Sequence, residues 1–290
     1  MLSKLIVAMT LRMPRWFVRW VSRRYVAGSN LDDAVTVMKR LESEGACFTI
    51  DVLGEEISSL DEAQFFLDEY VRVMKAIVEN DFDANLSIKP TAFGLLIDKD
   101  KGMENIESLV RQAAEHDMFV RLDMEDHRVT TETIQVVLDL HEKGLTNVGT
   151  VLQGRLLRTP DDIVEVGDAI GPNADYRICK GIYLEPEEIA YTTRTDIRDK
   201  TNDAIRMALE HGAYVGIASH DVPVVDYSLE VLKEFNMGPS IDDPRTNAGA
   251  SRKGKGPGYE FQMLLGVRGP MRRKLTKQGH RTRVYIPYGE

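Results

Sequence analysis

Lys89, Asp123, Gln153, Arg177, Lys180, His220, Asp221, Gln262 and Tyr285 share one habit of placement. Each lies at or near the end of a short apolar run, in LSIK, FVRLD, VLQ, YRICK, IASHD, YEFQ and RVYIP. Taken singly, each has an ordinary structural role. Lys89 would pair with an acid at the core edge, Asp123 would cap a loop, Gln153 and Gln262 would satisfy backbone groups, and His220 would pack. The repetition across so many run ends points instead to one shared cavity. Metal sites need clustered carboxylates or imidazoles, and this set is mostly Lys, Arg, Gln and Tyr. It suits a large, flat, partly anionic ligand, with cations for a diphosphate and amides for ring edges. A nucleotide cofactor has that chemistry.

The stretch YRICKGIYLEP, residues 176–186, sharpens the reading. It begins as a buried strand yet holds Arg177, and burying an unpaired guanidinium costs several kcal/mol, so something negative or strongly accepting must meet it. In extended backbone Arg177, Cys179, Gly181 and Tyr183 fall on one side. That side offers a cation, a small apolar group, a glycine that permits close approach, and a phenol.

The elements that carry these residues alternate regularly. CFTIDVL, ANLSIK, MFVRLDM, LTNVGTVLQ, YRICK, YVGIASH, YEFQMLL and RTRVYIP read as eight strands. Helical patterns at 103–116, 130–143, 160–170, 196–211, 223–235 and 270–278 separate most of them. Earlier, Asp32 and Asp33 open another helix, and Ser59 with Glu62 makes a capping-box pattern before a long one. TPDD at 159 supplies a Thr cap and Pro at the first helical position. Strands joined by helical crossovers are parallel, and eight of them predict an α/β fold closed as a (β/α)8 TIM barrel, whose chemistry sits at the C-terminal strand ends. An open doubly wound sheet is the competing architecture, but the early Gly-rich phosphate loop it needs is missing.

Composition limits the partners. The chain has 290 residues and a formal charge of −9, which argues against a general nucleic-acid surface. Cys47 and Cys179 stand apart in apolar runs and read as reduced core residues. Residues 1–24 hold Lys4, Arg12, Arg15, Arg19, Arg23 and Arg24 without an acid, and Leu5, Met9, Met13, Trp16 and Trp20 fall near one helical side. Such a segment suits either an appended helix packed on the main domain or peripheral contact with an anionic membrane from the cytoplasmic side. The domain reading is therefore an N-terminal helical extension over 1–44 and a barrel over 45–290. Residues 236–258, rich in Gly, Pro and charge, read as a long loop over one end of the barrel or as a surface insertion.

The motifs LSIKPTAFG, RLDMED, VLQGRL, YRICKGIYLEP, GIASHD, YEFQMLLGVR and RVYIPYG resemble those of bacterial proline dehydrogenase, in the family's order, from about residue 46 to the end. The resemblance implies a distorted barrel that holds FAD non-covalently at its C-terminal strand ends. It implies oxidation of L-proline to pyrroline-5-carboxylate, with electrons passed to a membrane quinone. By motif position, Asp123, Gln153, Arg177, Cys179, Gly181, His220 and Gln262 match the flavin-contacting set, and Arg194 resembles a cation that reaches the adenosine or diphosphate side. Lys89, Tyr183, Leu264 and Tyr285 match residues that wall and orient proline, with Arg177 stabilising charge on the reduced ring and Asp123 holding Lys89 or the flavin edge. No metal is implied.

The chain departs from the family pattern at Pro90, Gly154 and Ile182, where the family usually has Leu, Ala and Ala. The family also follows its last strand with a helix bearing two adjacent arginines that clamp the proline carboxylate, and this chain stops at YIPYGE. Arg272 and Arg273 are adjacent but precede the last strand. The expectation is a final helix apparently missing, an apolar strip left exposed outside the barrel, and weak reduction by proline. Hydroxyproline or another cyclic amine as substrate, and a flavin-binding barrel without activity, are the competing functional readings.

Overall fold

In the computed structural model, residues 24–239, 241–245 and 257–289 are described; nearly all of the basic segment 1–24 and half of the loop 236–258 lie outside them. Asn30 opens the first helix by accepting the N–H of Asp33 at 3.0 Å, and α1 runs Leu31–Glu42. The alternation then proceeds as β1 (Cys47–Val52), α2 (Leu60–Glu79), β2 (Ala84–Ile88), α3 (Lys99–Ala114), β3 (Val120–Leu122) and α4 (Thr130–Glu142). It continues with β4 (Val148–Gln153), α5 (Thr159–Ile170), β5 (Asp175–Cys179) and α6 (Arg194–Glu210). The last elements are β6 (Tyr214–Ala218), α7 (Val222–Glu234), β7 (Tyr259–Leu264), α8 (Gly269–Lys277) and β8 (Thr282–Tyr288).

The strands pair in chain order, all parallel, and β8 returns to β1 with Tyr285 opposite Thr49. The predicted α/β barrel is what forms, and every strand-like run contributes one strand. Outward-facing residues such as Phe48, Ile50, Leu86, Ile88, Ile178 and Ile217 are almost fully buried beneath the helices. The helices cover this outer face, which is why a large apolar residue recurs at every second position of these runs.

The expected exposed strip outside β8 and β1 is not found. Helix α1 packs there, with Leu31, Ala34, Met38 and Leu41 buried in one cluster with Phe48, Ile50, Val284 and Ile286. Backbone hydrogen bonds from Ala27 N–H to Pro287 and from Gly289 N–H to Gly28 tie the approach to α1 against the end of β8. A helix from the front of the chain thus closes the seam.

Two predicted caps differ. Thr159 is the first residue of α5 rather than its cap, and its hydroxyl donates to the Gln153 carbonyl at 2.5 Å. Ser59 precedes α2 without a side-chain cap bond; Glu62 instead accepts from the N–H of Ser58 at 3.1 Å.

Candidate active site

Inward-facing positions of a barrel of this type are ordinarily filled by branched apolar residues. Here they are polar from floor to mouth. At the floor, Arg283 Nε donates to Glu260 Oε1 at 2.6 Å, both side chains being almost wholly buried. Burial alone would raise the Glu260 carboxyl, but Arg283 and Arg281 outweigh it and hold it down at about 2. Arg121 lies at the same depth and pairs with Asp175.

The middle of the barrel carries the predicted set. Gln262 Nε2 donates to Glu260 Oε1 at 2.6 Å, and Gln262 Oε1 accepts from Arg177 Nε at 2.6 Å. Arg177 Nη1 then donates to Asp123 Oδ1 at 2.5 Å and to Ser87 Oγ at 3.1 Å. Asp123 also accepts from Ser87 Oγ at 2.7 Å and from the Tyr285 hydroxyl at 2.7 Å. The Arg177 guanidinium lies 5.1 Å from the centre of the Tyr285 ring. Burial, and then the carboxylates of Asp123 and Asp51, push the Tyr285 phenol well above its ordinary range, so it is a neutral donor. The partner demanded by a buried guanidinium in β5 is therefore the Asp123 carboxylate within the chain, rather than the charge of a ligand.

At the mouth, Lys89 Nζ lies 2.6 Å from Asp51 Oδ1. Burial would discharge Lys89, but Asp51 and Asp123 more than compensate and raise its pKa. Burial pushes the Asp51 carboxyl up to about 6 despite Lys89. This corrects one expectation: Asp51 holds Lys89, while Asp123 is engaged with Arg177 and Tyr285. Asp51 escaped notice because CFTIDV reads as a strand, although an acid inside an apolar strand carries the same signal as Arg177. Glu125 was missed as well. Its carboxylate accepts Thr91 N–H at 3.1 Å and Thr91 Oγ at 2.5 Å, which fixes the turn that follows Lys89. Burial pushes Glu125 up to about 7, against those two bonds. Pro90 begins that turn as its first helical residue, where an N–H would have had no partner.

Around the rim, Gln153 Nε2 donates to the Glu125 carbonyl at 3.0 Å, while its buried Oε1 has no hydrogen-bond partner among the described residues. Gly181, at φ +89°, comes so close that a Cβ there would fall 2.3 Å from Gln153 Oε1. Burial pushes the Cys179 thiol up to about 11, so it is not a thiolate. His220 Nε2 accepts Leu264 N–H at 2.9 Å, and burial, with Arg268, lowers its pKa. Tyr183 is half-buried, and burial and the carboxylates of Glu55, Glu125 and Asp123 raise its phenol. Lys180 pairs with Asp221. Ile182 is 87% exposed, so its bulk turns to solvent and does not crowd Gly181, and Leu264 is 47% exposed at the end of β7. Arg194 stands exposed at the start of α6, outside this network.

The arrangement is a mouth ringed by fixed charges and neutral phenols, with apolar side chains at its edge. It can orient a small charged molecule and stabilise a change of charge inside the barrel. It presents no activated nucleophile.

Known proteins share this framework. Bacillus subtilis proline dehydrogenase 2 is 31% identical over 275 residues, covering 95% of this chain and 84% of that protein. A proline dehydrogenase of Deinococcus radiodurans is 32% identical, covering 93% of this chain and 82% of that protein. Among solved structures, proline utilization A from Bdellovibrio bacteriovorus superposes with a TM-score of 0.81 at 22% identity, over 94% of this chain and 31% of that longer one. The sequence profile described as proline dehydrogenase matches residues 34–290. On that match, and on relatives above 30% identity along nearly its whole length, the chain belongs to the proline dehydrogenase family of enzymes.

Proposed function

We propose that the chain oxidises L-proline to 1-pyrroline-5-carboxylate with FAD bound at the barrel mouth, and that the electrons pass to a membrane quinone. The observation that carries the reading is the relay Glu260–Gln262–Arg177–Asp123–Tyr285, which holds one cation fixed beneath a mouth lined by Lys89, Tyr183 and Leu264. The residues fit a flavin. Gln153 Oε1 is a buried acceptor still in need of a donor, and Gly181 clears the space beside it. Gln153, Cys179, Gly181 and His220 would border the ring system, and Arg194 would reach its outer, charged part. When bound, FAD supplies the hydride acceptor that no side chain provides.

The chain's own residues position and polarise. Arg177, gripped by Asp123 and Gln262, cannot swing away, so its charge stabilises negative charge developing in the mouth without reorganisation. Lys89, kept protonated by Asp51, attracts the substrate carboxylate and disfavours a protonated ring amine through like-charge repulsion. Tyr285 and Tyr183 stay neutral and wall a pocket for a small ring. Leu264 adds an apolar side. The quinone step rests on the resemblance of the motifs. No helix among the described residues is long and apolar enough to cross a membrane.

An absorption spectrum before and after anaerobic L-proline tests cofactor and substrate together. Bound FAD, released on denaturation and bleached by L-proline in the folded protein, is the expected result. Protein resupplied with FAD that retains none, or whose flavin no concentration of L-proline bleaches, would refute it. N-propargylglycine, the inactivator named for the Bdellovibrio protein, is expected to inactivate this one as well.

A further inference from the structure

Outside the barrel, between α1 and α8, lies a cavity of about 320 Å³ bordered by Arg24, Arg40, Arg272 and Arg273. This is a concentration of cations in a chain of formal charge −9. One acid, Glu44, borders the same cavity. Arg272 donates to it through Nη2, and Arg273 Nη1 lies 3.6 Å from it. Arg24 Nε donates to the Gly266 carbonyl at 3.1 Å, and Arg40 pairs with none of the described acids. One carboxylate thus faces four guanidinium groups. The decisive observation is Arg272 itself. Its side chain is only 5% exposed, and its Nη1 is buried without a hydrogen-bond partner among the described residues. Buried charged donors are ordinarily satisfied, and Arg272, which borders the cavity, keeps one donor for an acceptor that comes from elsewhere. Gly269 and Pro270 bring the first turn of α8 to the same wall, and its partial positive charge adds to the field.

We infer that this cavity is an anion site that takes a phosphate group through Arg272, with Arg40, Arg273 and Arg24 around it. Guanidinium forks match tetrahedral oxyanions in geometry as well as charge. Leu265, Val284 and Leu264, the last shared with the barrel mouth, give the cavity an apolar side, so the phosphate can belong to free phosphate or to the headgroup of an anionic lipid.

The test uses the full chain and the double variant Arg40→Ser/Arg273→Ser. Both arginines are exposed and lie outside the proline-oxidising machinery, so the variant keeps the wild-type melting temperature in chloride and the wild-type rate with proline. Inorganic phosphate is titrated calorimetrically against chloride of equal ionic strength. In parallel, binding to phosphatidylglycerol vesicles is compared with binding to phosphatidylcholine vesicles. The expected result is phosphate binding by the wild type that weakens about tenfold or more in the variant, which is about 1.4 kcal/mol. Weakened phosphate binding with unchanged vesicle binding assigns free phosphate as the ligand. Weakened binding to phosphatidylglycerol vesicles assigns the lipid headgroup. If the variant matches the wild type towards both probes, or neither probe binds, the inference is overturned.

Discussion

At the scale of single residues, Arg177 decides most. Its need for a partner is legible in YRICK, because a guanidinium inside an apolar strand must be compensated. The identity of that partner is not legible. Asp123 sits two strands away, and only the stagger of the closed barrel brings their side chains to one level. The same limit hid the division of labour between the acids, since nothing in RLDMED or CFTIDV says which lysine or arginine each will meet. The pairing changes what a substitution should do. Arg177→Met leaves a largely buried Asp123 charge with only Ser87 and Tyr285 hydroxyls as side-chain hydrogen-bond partners and Lys89 as the remaining nearby cation, so a loss of about 3–5 kcal/mol in stability is expected. Anaerobic flavin reduction should slow by about 100- to 1000-fold as well. Adding Asp123→Asn should restore much of the urea resistance but none of the rate. Unchanged reduction in Arg177→Met would remove the electrostatic role, and a double variant no more stable than the single one would remove the pairing.

At the scale of elements, the strands are readable because their helix-covered outer face supplies a large apolar residue at every second position. What stayed hidden was how elements far apart in sequence fill one another's places. Helix α1 carries an ordinary amphipathic pattern, and nothing in LDDAVTVMKRLE says that its apolar side belongs on β8 as well as β1. Gly154 is a similar case. Read as a departure from the family's usual Ala, it looks like loose tuning. In the fold, a Cβ at this position would lie 2.6 Å from Thr201 Cα and 2.8 Å from its backbone nitrogen. The glycine therefore sets how closely α6 approaches the end of β4. Gly154→Ala should push α6 outward, with an expected loss of about 1–3 kcal/mol. Thermal unfolding of the variant checks this, and a melting temperature at or above that of the wild type would show that α6 yields freely. Because Gly154 follows Gln153 directly, FAD affinity should fall with stability.

At the scale of the whole molecule, a polar barrel interior ties stability to protonation. Glu260 is held at about 2, so the stability it contributes is present above its ordinary 4.5 and is lost as pH falls through 2. Asp51 and Glu125 act in the opposite sense. Burial raises them from 3.8 to about 6 and from 4.5 to about 7, so the folded protein binds protons that the unfolded chain releases. Their contribution is complete below their ordinary values and disappears as pH rises through 6 and 7, at about 3 kcal/mol for each at most. Lys89, Asp123 and Tyr285 surround Asp51, while Thr91, Glu55 and Lys89 face Glu125. Urea midpoints should therefore rise from pH 8 to pH 5, whereas activity should fall over the same range. Activity falls because protonating Asp51 removes the partner of Lys89, and protonating Glu125 weakens its hold on the turn after Lys89. Opposite trends of stability and rate are the signature of this arrangement. Asp51→Asn and Glu125→Gln together should remove this slope, leaving the opposite trend set by His220 and His280, whose pKa values burial lowers. If the wild type instead gains urea resistance towards pH 8, or if the double variant keeps the wild-type slope, the acids at the mouth do not carry the proton linkage assigned to them.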